Sequence, residues 1–251
     1  MSTQTDRLPV EELAQRFRGE MIPLNNTFSY LSLTPLPEED LRQYLRDPVT
    51  ALPLKIVERL PKVRVVLVPF LERANGTRTP GGEIVTFEKP AENRQTFWTR
   101  RADEEGVTLV FAIKDEQMAD YHYSFYSAIA SVVSERQEDE PQERFLRLVR
   151  EELAAEVHGE VDERSWHLKQ ALLRRPVKSG RESKQFREYA RQAFLDTLTL
   201  YLHGLCCDID VETGPRQMAS RYLRRRLEML ATAFPPPEGY AIFPETKKRS
   251  S

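Results

Sequence analysis

Residues 201–210 read YLHGLCCDID, which puts a histidine, two adjacent cysteines and two aspartates within ten positions. On a helix His203 and Cys207 stand four residues apart, so an imidazole and a thiolate project from one face and can reach the same metal ion. The two histidines of zinc-protease helices use that spacing, although no H-E-x-x-H occurs in this chain. A pair is half a site, and the stretch EVHGEVDERSWH (156–167) offers the rest. There His158 and Asp162 are candidate ligands, and Glu160 between them is a candidate base to activate a metal-bound water.

Gly159 decides whether Glu160 can take that part. In a helix interior glycine costs about 1 kcal/mol relative to alanine. Either another backbone approaches it closely, or the helix breaks there and turns His158 and Glu160 toward a common point. On a continuous helix Glu160 points away from His158 and the assignment fails. Plainer roles are available for the same residues: free cysteines are small apolar filler, and a buried histidine donates to a neighbouring carboxylate. A cysteine nucleophile is disfavoured, because Cys206 and Cys207 fall near a helix C-terminus, whose dipole opposes a thiolate.

The elements that must position these residues follow from periodicity. Leu146, Val149, Leu153, Val157, Val161, Leu168 and Leu172 form one stripe, which predicts a helix from Pro141 to Arg175. Arg164 falls near the middle of that stripe, where a charge needs a partner. Phe194, Leu198, Tyr201, Leu202 and Leu205 predict a helix from Arg181 to about Asp208. Two more run from Glu116 to about Arg136 and from Arg216 to Ala233, with turn chemistry in QEDEPQ, RPVKSG and VETGP between them. ADYHYSFYSAIA, at the first of these helices, carries aromatics that pack a helix onto a sheet.

Before the helices, VRVVLVPFL, EIVTFE, QTFWTRR and GVTLVFAI predict an antiparallel meander of about four strands over 62–114. Pro69 lacks a ladder donor, which favours an edge or a bulge. Residues 1–61 carry prolines at 9, 23, 35, 37, 48, 53 and 61, so they predict a wrapping segment with short helices. Residues 235–251 open with three prolines and form an extension that ends in a disordered KKRSS tail. The fold class is α+β, a small antiparallel sheet packed on about four helices (115–234), with 62–234 as one domain.

Lys plus Arg is 37 against Asp plus Glu 39, a formal charge of −2, so no global field favours nucleic acid or an acidic membrane. RYLRRRLEML reads as a solvated basic face, and no glycine-rich phosphate loop follows a strand. No apolar run approaches the ~18 residues of a membrane span, and the N-terminus lacks a secretory pattern. Two adjacent cysteines make no disulfide framework, which fits a soluble cytoplasmic protein. Two functions are compatible with these features. One is a metal-dependent hydrolase whose divalent ion, zinc as the candidate, is held by His158, Asp162, His203 and Cys207. The other is a non-enzymatic interaction or scaffold protein, with a protein partner, whose buried polar residues fix helix packing.

Overall fold

A computed structural model describes residues 7–73, 82–135, 140–174, 183–207 and 217–243. The chain is α+β, with helices and two sheets. It divides into two compact units, residues 1–49 with 59–128, and residues 50–58 with 129–251. The expected turns RPVKSG (175–180) and VETGP (211–215), the first half of QEDEPQ (137–142) and the KKRSS tail (247–251) lie outside the described residues. The helix expected to end near Asp208 stops at Cys206, and the one expected from Arg216 starts at Ser220.

In chain order the elements begin with β1 (Arg7–Pro9), α1 (Val10–Arg16), β2 (Ile22–Pro23) and β3 (Phe28–Ser32). Short helices α2 (Glu38–Leu41), α3 (Asp47–Thr50) and α4 (Leu54–Val57) lead to β4 (Val63–Val68), β5 (Phe70–Arg73) and β6 (Glu83–Thr86). Then come β7 (Gln95–Thr96), β8 (Trp98–Asp103), β9 (Gly106–Ala112) and α5 (Met118–Ser134). The remaining helices are α6 (Glu140–Ala154), α7 (Glu163–Leu173), α8 (Lys184–Cys206) and α9 (Ser220–Ala233).

All the strands belong to the first unit, and they depart from the expected single meander. One sheet has the order β2-β3-β4-β9-β8 and the other β1-β6-β5-β7. In the first, β3, β4 and β9 run parallel, while β8 returns antiparallel to β9. The long connection through residues 33–62 explains the parallel pairing, since a tight hairpin can join only antiparallel neighbours. The proline-rich segment therefore supplies β1, β2 and β3 to the two sheets instead of only wrapping them.

Every residue of β4 and β9 is buried, as expected of parallel strands covered on both faces. Val66, Val68, Val110 and Ala112 pack with Val10 and Leu13 of α1, Leu71 of β5 and Val85 of β6. On the opposite face Phe111 meets Tyr121 and Phe125 of α5, at ring-centre distances of 5.3 and 6.0 Å. The aromatics of ADYHYSFYSAIA thus pack a helix onto a sheet. Pro69 sits where the chain leaves one sheet at Val68 and enters the other at Phe70, so its missing N–H costs no ladder bond.

In the second unit the helix expected from Pro141 to Arg175 is two helices, α6 and α7, separated at 155–162. Gly159 has φ +79°, and a Cβ there would lie 2.2 Å from the Gln217 carbonyl oxygen. Glu160 pairs with Gln217 in an isolated parallel bridge. The close approach of a second backbone and the break in the helix therefore occur together, but the break does not turn His158 and Glu160 toward a common point, since His158 is exposed and Glu160 is buried. Asp162 then caps α7, its side chain accepting from the Arg164 N–H at 2.9 Å. The break also shifts the helical phase, so that Arg164 is exposed and Glu152 joins Phe145, Leu148 and Val149 on the buried face of α6. No helix among the described residues is long and apolar enough to cross a membrane.

Candidate functional site

The break delivers Glu160 into the interior of the helical unit. Arg226 of α9 bridges Glu152 of α6 and Glu160, and all three side chains are fully buried. Its Nη2 donates to Glu152 Oε2 at 2.6 Å and to Glu160 Oε1 at 3.1 Å, and its Nη1 donates to Glu160 Oε2 at 2.8 Å. Lys169 of α7 donates to Glu160 Oε1 at 3.2 Å and to the Gly159 carbonyl at 2.8 Å. The Tyr189 hydroxyl of α8 donates to the same Oε1. One carboxylate thus ties the break to α7, α8 and α9, and its acceptor directions are filled by charged and hydroxyl donors.

Electrostatics follow from this geometry. Burial disfavours ionisation of Glu160, but Arg226, Lys169 and Tyr189 outweigh it and hold the carboxyl below its usual range. Burial pulls Lys169 below its usual value against the pull of Glu160. Burial raises the Tyr189 hydroxyl, with Glu160 adding to it. Glu160 is therefore an anion already bound by cations, a state unsuited to taking a proton from water near neutral pH.

The other residues singled out by spacing go to separate places. His158 is exposed in the segment between α6 and α7, and Asp162 is the cap described above. His203 is half-buried in the last turn of α8, and the Cys207 N–H caps that helix by donating to the His203 carbonyl at 2.9 Å. Cys206 and Cys207, at the end of α8, are thiol side chains of the kind that can serve as metal donors.

A second titratable group lies in the first unit, just after β9. Glu116 accepts from the Ser124 hydroxyl at 3.3 Å, while its Oε2 is buried without a hydrogen-bond donor among the described residues. Burial, with Asp120 adding to it, pushes the carboxyl up to about 7. The folded protein then binds more protons than the unfolded chain between the usual value of 4.5 and about 7, so stability falls as pH rises through that window. Glu116→Gln is expected to flatten this dependence, read as the change in unfolding midpoint between pH 5 and 8. An unchanged slope would remove Glu116 as its source.

On the surface of the helical unit, α5, α6 and α8 enclose a groove of about 620 Å³. Its floor is apolar, made by Leu146, Ala190 and Phe194. Along α8, Lys184, Arg187 and Arg191 stand at positions i, i+3 and i+7 and, with Glu188 among them, make one wall predominantly basic. Glu135 and Glu143 make the facing wall acidic, and an ion pair between Arg191 and Glu135 at 3.9 Å crosses the groove. The volume lies within the ~300–1,000 Å³ common for binding clefts. Compared with known proteins, the chain matches no family model, no curated protein and no solved structure.

Proposed function

We propose that this protein acts by binding rather than by catalysis. The helical unit is a rigid framework whose groove takes an amphipathic helix of a protein partner. The carrying observation is the groove itself, an apolar floor between a basic wall on α8 and an acidic wall facing it. A helix laid in it with an apolar stripe, acidic residues on one flank and basic residues on the other, meets all three surfaces. The buried cluster of Arg226, Glu152, Glu160 and Lys169, with Tyr189, ties α6 to α8, two of the helices that build the walls, so that part of the groove is formed before the partner arrives. A cytoplasmic location suits this reading, since Cys206 and Cys207 form no disulfide.

The competing reading is a hydrolase with a divalent ion such as zinc on His158, Asp162, His203 and Cys207. It requires Glu160 to accept a proton, and Arg226, Lys169 and Tyr189 occupy that carboxylate. A metal held elsewhere would be compatible with a binding protein.

Site-specific photocrosslinking tests the proposal, with a benzoylphenylalanine at Gln142, which lines the groove. In cell extract it should mark a segment with an apolar helical stripe and charged flanks. The double charge reversal Arg187→Glu with Arg191→Glu should reduce that crosslink at least tenfold, while circular dichroism stays unchanged. A crosslink that survives the reversal, or none above background, would overturn the groove as the binding face.

A further inference from the structure

Within the helical unit one buried carboxylate stands apart from the ion cluster. Asp196, in the middle of α8, is 4% exposed. Its Oδ1 accepts from the Gln192 amide on the same helix at 2.7 Å. Its Oδ2 is buried and has no hydrogen-bond donor among the described residues.

Two acidic groups act on it electrostatically. From the break between α6 and α7 come the carboxylates of Glu160 and Asp162, and from the first turn of α7 comes Ser165, which is fully buried. The Ser165 hydroxyl donates to the Asp162 carbonyl at 3.0 Å, which leaves its oxygen able to accept. The buried cations Arg226 and Lys169 are committed to Glu152 and Glu160.

Such a carboxyl has two different states. With a proton, its second oxygen becomes a donor and can close a hydrogen bond to the α7 side of the contact. Without one, it is a buried charge whose second oxygen has no donor among the described residues and which is repelled by two other carboxylates, which favours separation of the surfaces that bury it. We propose that Asp196 is a proton-operated latch between α7 and α8, closed while its carboxyl carries a proton and loosened when it ionises.

Burial pushes this carboxyl up to about 6, with Asp162 and Glu160 adding to it against Ser165 and Gln192. The latched state therefore binds more protons than the opened state between the usual 3.8 and about 6. Closure weakens as pH rises through that window and levels off above it. The device is independent of what occupies the groove, since it acts through the docking of α7.

Hydrogen exchange of the whole protein at pH 5.0 and 7.5, corrected for intrinsic rates, reads the latch directly. The α7 amides should lose protection by about tenfold at the higher pH. In Asp196→Asn the protection of α7 should not change with pH. A carbon-13 titration of the Asp196 carboxyl in the unaltered protein gives a second readout, with a midpoint near 6 expected. Equal α7 protection at the two pH values would overturn the latch, as would an asparagine variant with the same loss or a midpoint near 4.

Discussion

Replacing Arg226 by methionine is expected to cost the helical unit about 3–5 kcal/mol, the usual consequence of removing one partner from a buried ion pair. Methionine fills much of the volume and keeps the contact with Phe145, over whose ring the guanidinium now lies at 5.4 Å. It leaves the buried carboxylates of Glu152 and Glu160 without the cation that joins them. Urea unfolding followed by the fluorescence of Trp166, in α7, checks the size of the loss. A Trp98→Phe background isolates that signal, because the chain has only these two tryptophans. The pH dependence should agree in sign. Glu160 is held below its usual 4.5, so its contribution is fully present above that value and is lost as pH falls through the lower folded value. A loss under about 1 kcal/mol, the scale of a surface pair, would contradict the buried cluster as the framework of this unit.

Gly159→Ala is the second large effect, and its sign separates two pictures of the residue. At an ordinary helix interior the change would stabilise by about 1 kcal/mol. Here the backbone has φ +79° and the new methyl would lie 2.2 Å from a main-chain carbonyl, which cannot swing aside as a side chain can. The left-handed backbone alone costs a residue with a Cβ ~1–2 kcal/mol. The expected result is a destabilisation of at least about 2 kcal/mol, together with loss of protection at the amides of Glu160 and Gln217. A stabilised variant would mean that 155–162 is helical and that Glu160 does not reach the cluster.

Much of this was legible in the residues, and the failures have identifiable causes. The sequence EVHGEVDERSWH marks Gly159 as anomalous, and the close backbone approach and the helix break suggested by its type are both present, without the convergence of His158 and Glu160. What spacing could not show was the partner, because Gln217 follows by more than fifty residues. The apolar stripe over 141–175 assumed one continuous helix. Once the helix breaks, the phase before it shifts by one residue and Glu152, not Leu153, faces inward. Arg226 was hidden in RYLRRRLEML, where three neighbouring arginines suggest a wet face. Yet Leu223, Arg226, Leu227 and Leu230 follow the i, i+3, i+4, i+7 pattern of a buried stripe, and Phe145, Leu148, Val149 and Glu152 repeat it. A charge at an apolar register position on each of two helices was the available signal.

The sheet was misread for a different reason. A long apolar strand such as VRVVLV fits a buried parallel strand as well as a meander, and local pattern does not encode its neighbours. The strand FSYLS lay within a segment dominated by prolines, which drew attention to breaks rather than to pairing. His203 lies in the last turn of α8, but the helix ends at Cys206 and Cys207 is extended, so the one-face projection that a spacing of four gives on a continuous helix does not hold.

The most direct test of the account is the stability of Glu160→Gln. This variant keeps the shape of the side chain and removes its charge, so a structural counter-ion and a catalytic base respond in opposite ways. As the shared anion of Arg226 and Lys169, Glu160 should make its amide variant less stable by about 2 kcal/mol or more, because two buried cations lose their partner. A base held in a hydrolytic site carries strain that the amide relieves, so that variant would be as stable as the parent or more stable. A marked drop in the urea midpoint supports a binding framework held by buried charge, and an unchanged or higher midpoint contradicts it.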